Sequence, residues 1–189
     1  MWTTRVAPLK NSHGSPIIYI QDGAESRTSP HVVLSKTEQN TVAFNPDFEK
    51  KDLAVAISVE PQQLEYLESV DKWALQEALA HSQEWFGKTY TEAELKLMYN
   101  PCLKTHELYP PKFKARITQR TRLTVDGREV KFEDANTAIF RGCAVRVSVE
   151  FSRIWVVGGK FGVLCYYTNL ALSKPEVLYP AVDFPEIST

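Results

Sequence analysis

Lys112, Lys114 and Arg116 stand at alternate positions in YPPKFKARIT, and Arg120 and Arg122 repeat that spacing. Arg128 and Lys131 follow on the second arm of TRLTVDGREVKF. Residues two apart on a strand share a face, so these cations can line one outward surface. Lys160 sits in a glycine-rich turn, Gly158-Gly159-Lys160-Phe161-Gly162, and aromatic residues stand among the cations: Tyr109, Phe113, Trp155, Tyr166 and Tyr167. The chemistry open to such a set is non-covalent. Lys and Arg at strand spacing neutralise phosphates, and aromatic rings stack on bases of any identity.

The net charge of -1 hides an asymmetry. Residues 104–160 hold 12 Lys and Arg against 6 Asp and Glu, whereas residues 1–103 hold 9 against 14. A basic segment inside an acidic remainder marks a face for polyanions. At 189 residues and 43% hydrophobic, the chain is long and apolar enough to bury a core as one domain. Its 3 cysteines, Cys102, Cys143 and Cys165, suit free thiols in a reducing, intracellular compartment better than a disulfide framework. No apolar run reaches the ~18 residues of a membrane span, and MWTTRVAPLK carries no apolar core of a secretory signal.

Catalytic and metal-binding patterns are weak by comparison. Cys102-x-x-x-His106 is half of a zinc site without a second half. The four histidines sit in no triad-like setting, and no Walker motif or nucleophile elbow is present. Gly158-Gly159 precedes a strand, where a phosphate-cradling loop would feed a helix. The expectation is a protein that is not an enzyme and that takes neither metal nor cofactor.

The elements that must hold the basic and aromatic residues are mainly strands. PIIYI (16–20), HVVLS (31–35), TVAF (41–44) and LAVAISV (53–59) are short apolar runs bounded by turn formers. The periodicity then becomes helical. Pro61 opens a helix over about 61–86 that Gly87 ends, with Leu64, Leu67, Ala74, Leu75, Ala78 and Trp85 at helical spacing. Thr91 and Glu94 frame the start of a shorter helix that stops before Asn100-Pro101. Strands resume with Phe113, Ala115 and Ile117 opposite Lys112, Lys114 and Arg116, and Asp126-Gly127 predicts a hairpin. Two long strands, from Ala144 and from Lys160, meet at Gly158-Gly159. Val145, Val147, Val149 and Phe151 share one face; continued, the alternation turns Trp155 inward with Arg153, unless a bulge reverses the facing. Tyr166 and Tyr167 point to opposite faces, so one is structural and the other is available. This order predicts a mainly β fold with inserted helices: an OB-type five-stranded Greek-key barrel, or alternatively a β-sandwich with a helical insert. Residues 1–172 form the domain, with the helical insertion at about 61–99, and residues 173–189 an extended arm.

NPCLKTHELYPPKFKARI, the Asp-Gly hairpin and RGCAVRVSVEFSRIWVVGGKFGVLCYYTNLAL together resemble the single-stranded DNA-binding proteins of large DNA viruses and some tailed phages. The likeness rests on Tyr109-Pro110-Pro111-Lys112, on Trp155 and on Gly159-Lys160-Phe161-Gly162, and it spans about residues 100–172. It implies an OB-type barrel and sequence-tolerant binding of single-stranded DNA, or RNA, in replication or recombination. It also implies a viral setting in host cytoplasm or nucleus, self-association, and replication proteins as further partners. The competing expectation is an oligomeric interaction module that ignores nucleic acid, using the acidic helix and the proline-rich tail as its surfaces.

Overall fold

The fold comes from a computed structural model that describes residues 2–10, 14–34, 40–44, 46–48 and 53–174. Five strands close on themselves. β4 (Asn40–Phe44) pairs antiparallel with β5 (Ala54–Ser58), which pairs antiparallel with β7 (Tyr109–Arg116). β7 runs parallel to β11 (Lys160–Ser173), β11 is antiparallel to β10 (Ala144–Val157), and β10 returns to β4. Numbered one to five along the chain, the barrel strands stand around the barrel in the order one, two, three, five and four, the closed Greek-key order of an OB-type barrel. Closure rules out the open two-sheet sandwich. The chain is thus mainly β, with a barrel, additional strands and inserted helices.

Six further pairings enlarge the sheet. β1 (Thr3–Lys10) and β2 (Pro16–Gln21) form a hairpin that joins β10 through Tyr19 and Ile18. β3 (His31–Val33) also pairs with β10. β8 (Arg122–Val125) lies parallel to β11 and carries β9 (Arg128–Val130) through the expected Asp-Gly turn. β6 (Leu103–His106) lies along β7. The sequence reading overlooked β1 and β6, for both lack an apolar alternation.

The helices occupy the connection between β5 and β6. α1 (Pro61–Ala80) buries Leu67, Val70, Ala74 and Ala78, a stripe at helical spacing. One residue, His81, separates it from α2 (Ser82–Phe86), where a single helix over 61–86 was expected. His81 ends α1 by donating its N–H to the Glu77 carbonyl, and its own carbonyl accepts from Trp85 to start α2. α3 (Glu92–Met98) begins at Thr91, whose hydroxyl accepts from the Glu94 N–H while Glu94 accepts from the Thr91 N–H.

One carboxylate ties this insert to the barrel. Asp71 on α1 accepts hydrogen bonds from the Tyr99 hydroxyl (2.6 Å) and from the backbone N–H of Cys102 (3.0 Å) and Leu103 (3.4 Å). Burial, with the Asp71 charge adding to it, pushes the Tyr99 phenol above its usual range, so it stays a donor. The segment 99–103 thereby crosses from β11, where the Asn100 N–H donates to the Phe161 carbonyl (2.8 Å), to β7, where Leu103 faces Phe113. Asp71→Ala removes the acceptor of three donors and is expected to lower stability by about 2–4 kcal/mol in urea denaturation, with Asp71→Asn losing less.

The tail expected as an extended arm begins where β11 ends at Ser173, and residues 175–189 lie outside the described residues.

Candidate functional site

Two bulges decide which side chains reach the surface of the long ribbon. In β10 the register slips between Phe151, opposite Cys165, and Arg153, opposite Leu164. Ser152 is the extra residue. Phe151, Ile154 and Val156 therefore all point inward, and Arg153 and Trp155 point outward. This corrects the inward placement of Trp155 that unbroken alternation predicted. In β11 the slip falls at Thr168, so Tyr167 and Leu170 are both buried and Tyr166 faces out.

Phe113 and Tyr167, expected among the base-stacking aromatics, are core residues at 0% and 1% exposure. Phe113 belongs to the inward series of β7 and meets Tyr167 edge to face with ring centroids 6.1 Å apart. The Tyr167 hydroxyl donates to the Val55 carbonyl (3.2 Å), and the Tyr167 carbonyl accepts from the Thr121 hydroxyl (2.7 Å). Burial holds the Tyr167 phenol well above its usual range. Neither ring can meet a ligand without opening the barrel.

What the outward residues line is a groove. β7 and β11 share a single bridge, Arg116 opposite Tyr166. Toward Lys160 the two strands separate, and the crossing segment 99–103 spans the gap. The result is a cavity of about 520 Å³. Its walls carry Lys104, Lys114, Arg116 and Arg153 together with Trp155 and Tyr166, and Cys102 and Cys165 lie along its lining. The Trp155 indole lies over Gly162, its cross-strand partner. A Cβ at Gly162 would sit 2.6 Å from the Asn100 carbonyl and 3.1 Å from the indole, so glycine is what lets the crossing segment and the indole close on β11 together.

A second cavity, about 750 Å³, shares Arg116, Arg153 and Tyr166 with the first and continues past them to Arg120, Tyr19 and Glu150. Among the described residues no carboxylate forms an ion pair with Arg116, Arg120 or Arg153. Glu150, the acid of the groove, lies 3.7 Å from the His31 ring. Lys104 donates to the Asn100 side chain, and its pKa is lowered, chiefly by burial, with Lys114 contributing and Asp71 opposing. A hydrogen bond to the Cys165 thiol, together with burial, keeps Cys102 well above the usual thiol range. His106 sits at the exposed β6–β7 turn, accepting from the Leu108 N–H, whereas Cys102 is buried, so the half-site for zinc is not assembled.

The expected binding residues therefore divide. Lys114, Arg116, Arg120, Trp155 and Tyr166 come together in the groove. Arg122 lines a separate, shallower hollow of about 440 Å³ with Arg146. Arg128 and Lys131 are exposed at the β8–β9 end, outside these cavities. Tyr109 stands 59% exposed at the β6–β7 turn with the Lys112 ammonium 5.2 Å over its ring. Lys160 ties the Gly158-Gly159 turn to α3, donating to the Leu97 carbonyl (2.8 Å). Lys104, Arg153 and Tyr19 were missed. Arg153 was hidden by the same slip that hid Trp155. Tyr19 follows from the alternation of PIIYI, in which Ile18 and Ile20 face inward.

Residues 40–176 match the model of a family of unknown function, DUF5871. The chain belongs to that family. No curated protein matches it. Among solved structures, the single-stranded DNA-binding protein from bacteriophage Enc34 aligns over 95% of this chain and 96% of its own, at 11% sequence identity and a TM-score of 0.39. The OB-type order rests on the strand pairings themselves, independently of that likeness. The family match takes in the whole five-stranded barrel and the first cavity, and it leaves the β1–β2 hairpin outside.

Gly162→Ala forces the Asn100 carbonyl and the Trp155 indole apart. Chemical denaturation should show a loss of about 1–3 kcal/mol.

Proposed function

We propose that this chain binds single-stranded nucleic acid without regard to sequence, DNA being the form that the sequence resemblance favours. The observation that carries the reading is the lining of the first cavity: Trp155 and Tyr166 lie on the same open face as Arg153, Arg116, Lys114 and Lys104. A duplex keeps its bases paired and stacked on one another, so its ring faces are closed to an aromatic platform. A single strand offers them, and stacking on protein rings contributes about 1–3 kcal/mol per base. Arginine adds a planar cation suited both to phosphate and to stacking. The barrel behind the face makes it rigid, because Lys114, Arg116, Arg153, Trp155 and Tyr166 each have a buried neighbour along the strand. Little ordering is then left to offset on binding. No covalent step is needed, and the reading assigns the groove to binding alone.

Fluorescence anisotropy with labelled oligo-dT, oligo-U and a duplex tests this. The single strands should bind at low salt and the duplex weakly. Trp155→Ala or Tyr166→Ala should weaken binding by about 5- to 150-fold. Arg153→Ala should flatten the log–log salt slope by ~0.7, the share of one phosphate on a single strand. Arg128→Ala, outside the groove, should stay within about twofold of the wild type, a surface charge contributing little at that range. An absence of oligo-dT binding at low salt would overturn the proposal.

A further inference from the structure

The β1–β2 hairpin sits at a telling place. It joins β10 at Arg153 and Ile154, the pair of residues immediately after the β10 bulge. Its inner side is fastened. Trp2 packs against Phe151 (ring centroids 5.0 Å apart) and edge-on to Trp73 of α1 (5.4 Å), Ile18 and Ile20 are buried, and the Thr4 hydroxyl donates to Glu77 (2.8 Å). Its outer side carries Tyr19, 36% exposed, with the Arg5 guanidinium 5.2 Å from the ring centroid.

Arg5 is the register partner of Tyr19, and Tyr19 is the register partner of Arg153. Arg153 in turn faces Leu164 on β11. Because Arg116 on β7 is level with Tyr166, Lys114 is level with Leu164. One line therefore crosses four paired strands, Arg5, Tyr19, Arg153 and Leu164, with Lys114 beyond it across the gap between β11 and β7. Paired strands lie ~4.8 Å apart, so the three paired steps from Arg5 to Leu164 span roughly 14 Å, of which the two steps from Arg5 to Arg153 that the hairpin supplies span roughly 10 Å. The second cavity, with Tyr19, Arg116, Arg120 and Arg153 in its lining, reaches that part of the line at Tyr19 and Arg153 and adjoins the first.

We infer that the hairpin is a second stacking subsite that lengthens the groove for the same strand. This rests on the binding reading above and adds to it a site outside the family match. A base stacks on Tyr19, and its flanking phosphates fall between Arg5 and Arg153. The cation–π contact between Arg5 and Tyr19 restrains both side chains beforehand, so less side-chain freedom is lost on binding. The barrel groove holds the first nucleotides, and the hairpin engages once the strand is long enough to pass Arg153.

The test is a length series of oligo-dT, about 4 to 16 nucleotides, against wild type, Tyr19→Ala, Tyr19→Phe, Arg5→Ala and Trp155→Ala. Affinity of the wild type should rise with length. Tyr19→Ala should remove that gain, with a loss of about 5- to 150-fold on the longer strands and less than about twofold on the shortest, and Tyr19→Phe should restore it. Arg5→Ala should act on the longer strands alone. Circular dichroism of each variant confirms that the hairpin residues are exposed enough to change without unfolding. If Tyr19→Ala follows the wild type at every length while Trp155→Ala loses affinity, the hairpin subsite is wrong and the groove reading stands. If Tyr19→Ala weakens all lengths equally, the subsite is part of the primary site, and the length-dependent extension is overturned. If the wild type binds no oligonucleotide, both fall.

Discussion

One extra residue in β10, Ser152, carries the arrangement of the candidate site. A strand has a period of two, so a single insertion exchanges the faces of everything beyond it. Before the slip, Val145, Val147, Val149 and Phe151 fill the barrel; after it, Ile154 and Val156 take over that task. The core loses nothing, because apolar residues meet the inner face on both sides of the slip. The outer face gains Arg153 and Trp155. Were Ser152 held in register without the bulge, Arg153 would turn inward opposite Val163 and the Trp155 indole would compete for the volume held by Ile154 and Val156. The β1–β2 hairpin also depends on the slip, since it pairs with β10 only at Arg153 and Ile154, just beyond it.

A second constraint comes from the seam between β7 and β11. Parallel neighbours in a small barrel need long connections, and here they meet at one bridge. Toward the Gly158-Gly159 turn the gap is filled by residues 99–103, held by Asp71 from one side and by the Phe161 carbonyl from the other. That substitution of an irregular segment for a ladder is what leaves a concavity. Irregular backbone with satisfied donors can line a groove, whereas a regular strand in the same place would close it. The helical insert thus shapes the groove from a distance: α1 supplies the carboxylate, and α3 accepts Lys160 at the turn.

Much of the fold was legible in the sequence because its signals are local. Asp126-Gly127, Gly158-Gly159 and Pro61 each act within a few residues, and the alternation in β7 sorted Phe113, Ala115 and Ile117 from Lys112, Lys114 and Arg116 as the structure does. The misplacements share one cause. Bulges at Ser152 and Thr168 are settled by cross-strand partners and by what the core will accept, and neither is written in residue type. Hence Trp155 was turned inward and Arg153 was passed over. Phe113 and Tyr167 were counted as platforms although the first lies in the inward series of its own strand. Clustering of charge along the chain also misled: Arg122, Arg128 and Lys131 follow the groove cations closely in sequence, but β8 and β9 lie beyond the far part of β11. Conversely, Lys104 and Tyr19 come from distant segments that only the closed topology brings to Trp155 and Arg153.

The small net charge is consistent with a basic groove because the two signs are separated in space. Arg116, Arg120 and Arg153 carry their charge without a carboxylate partner among the described residues, so it projects into the groove. Glu150 is the exception within the lining, and its neighbour His31 offers a charge that can offset it when protonated. Two of the positive groups, Arg116 and Arg153, line both cavities together with Tyr166, so positive charge is present where the two adjoin. Cations on rigid strands, interleaved with rings whose edges are fixed by the barrel, stand at set distances from one another, as the proposed binding of phosphate and base requires. On the proposed reading, a preference for a single strand would follow from that geometry, and indifference to sequence from stacking, which every base can supply.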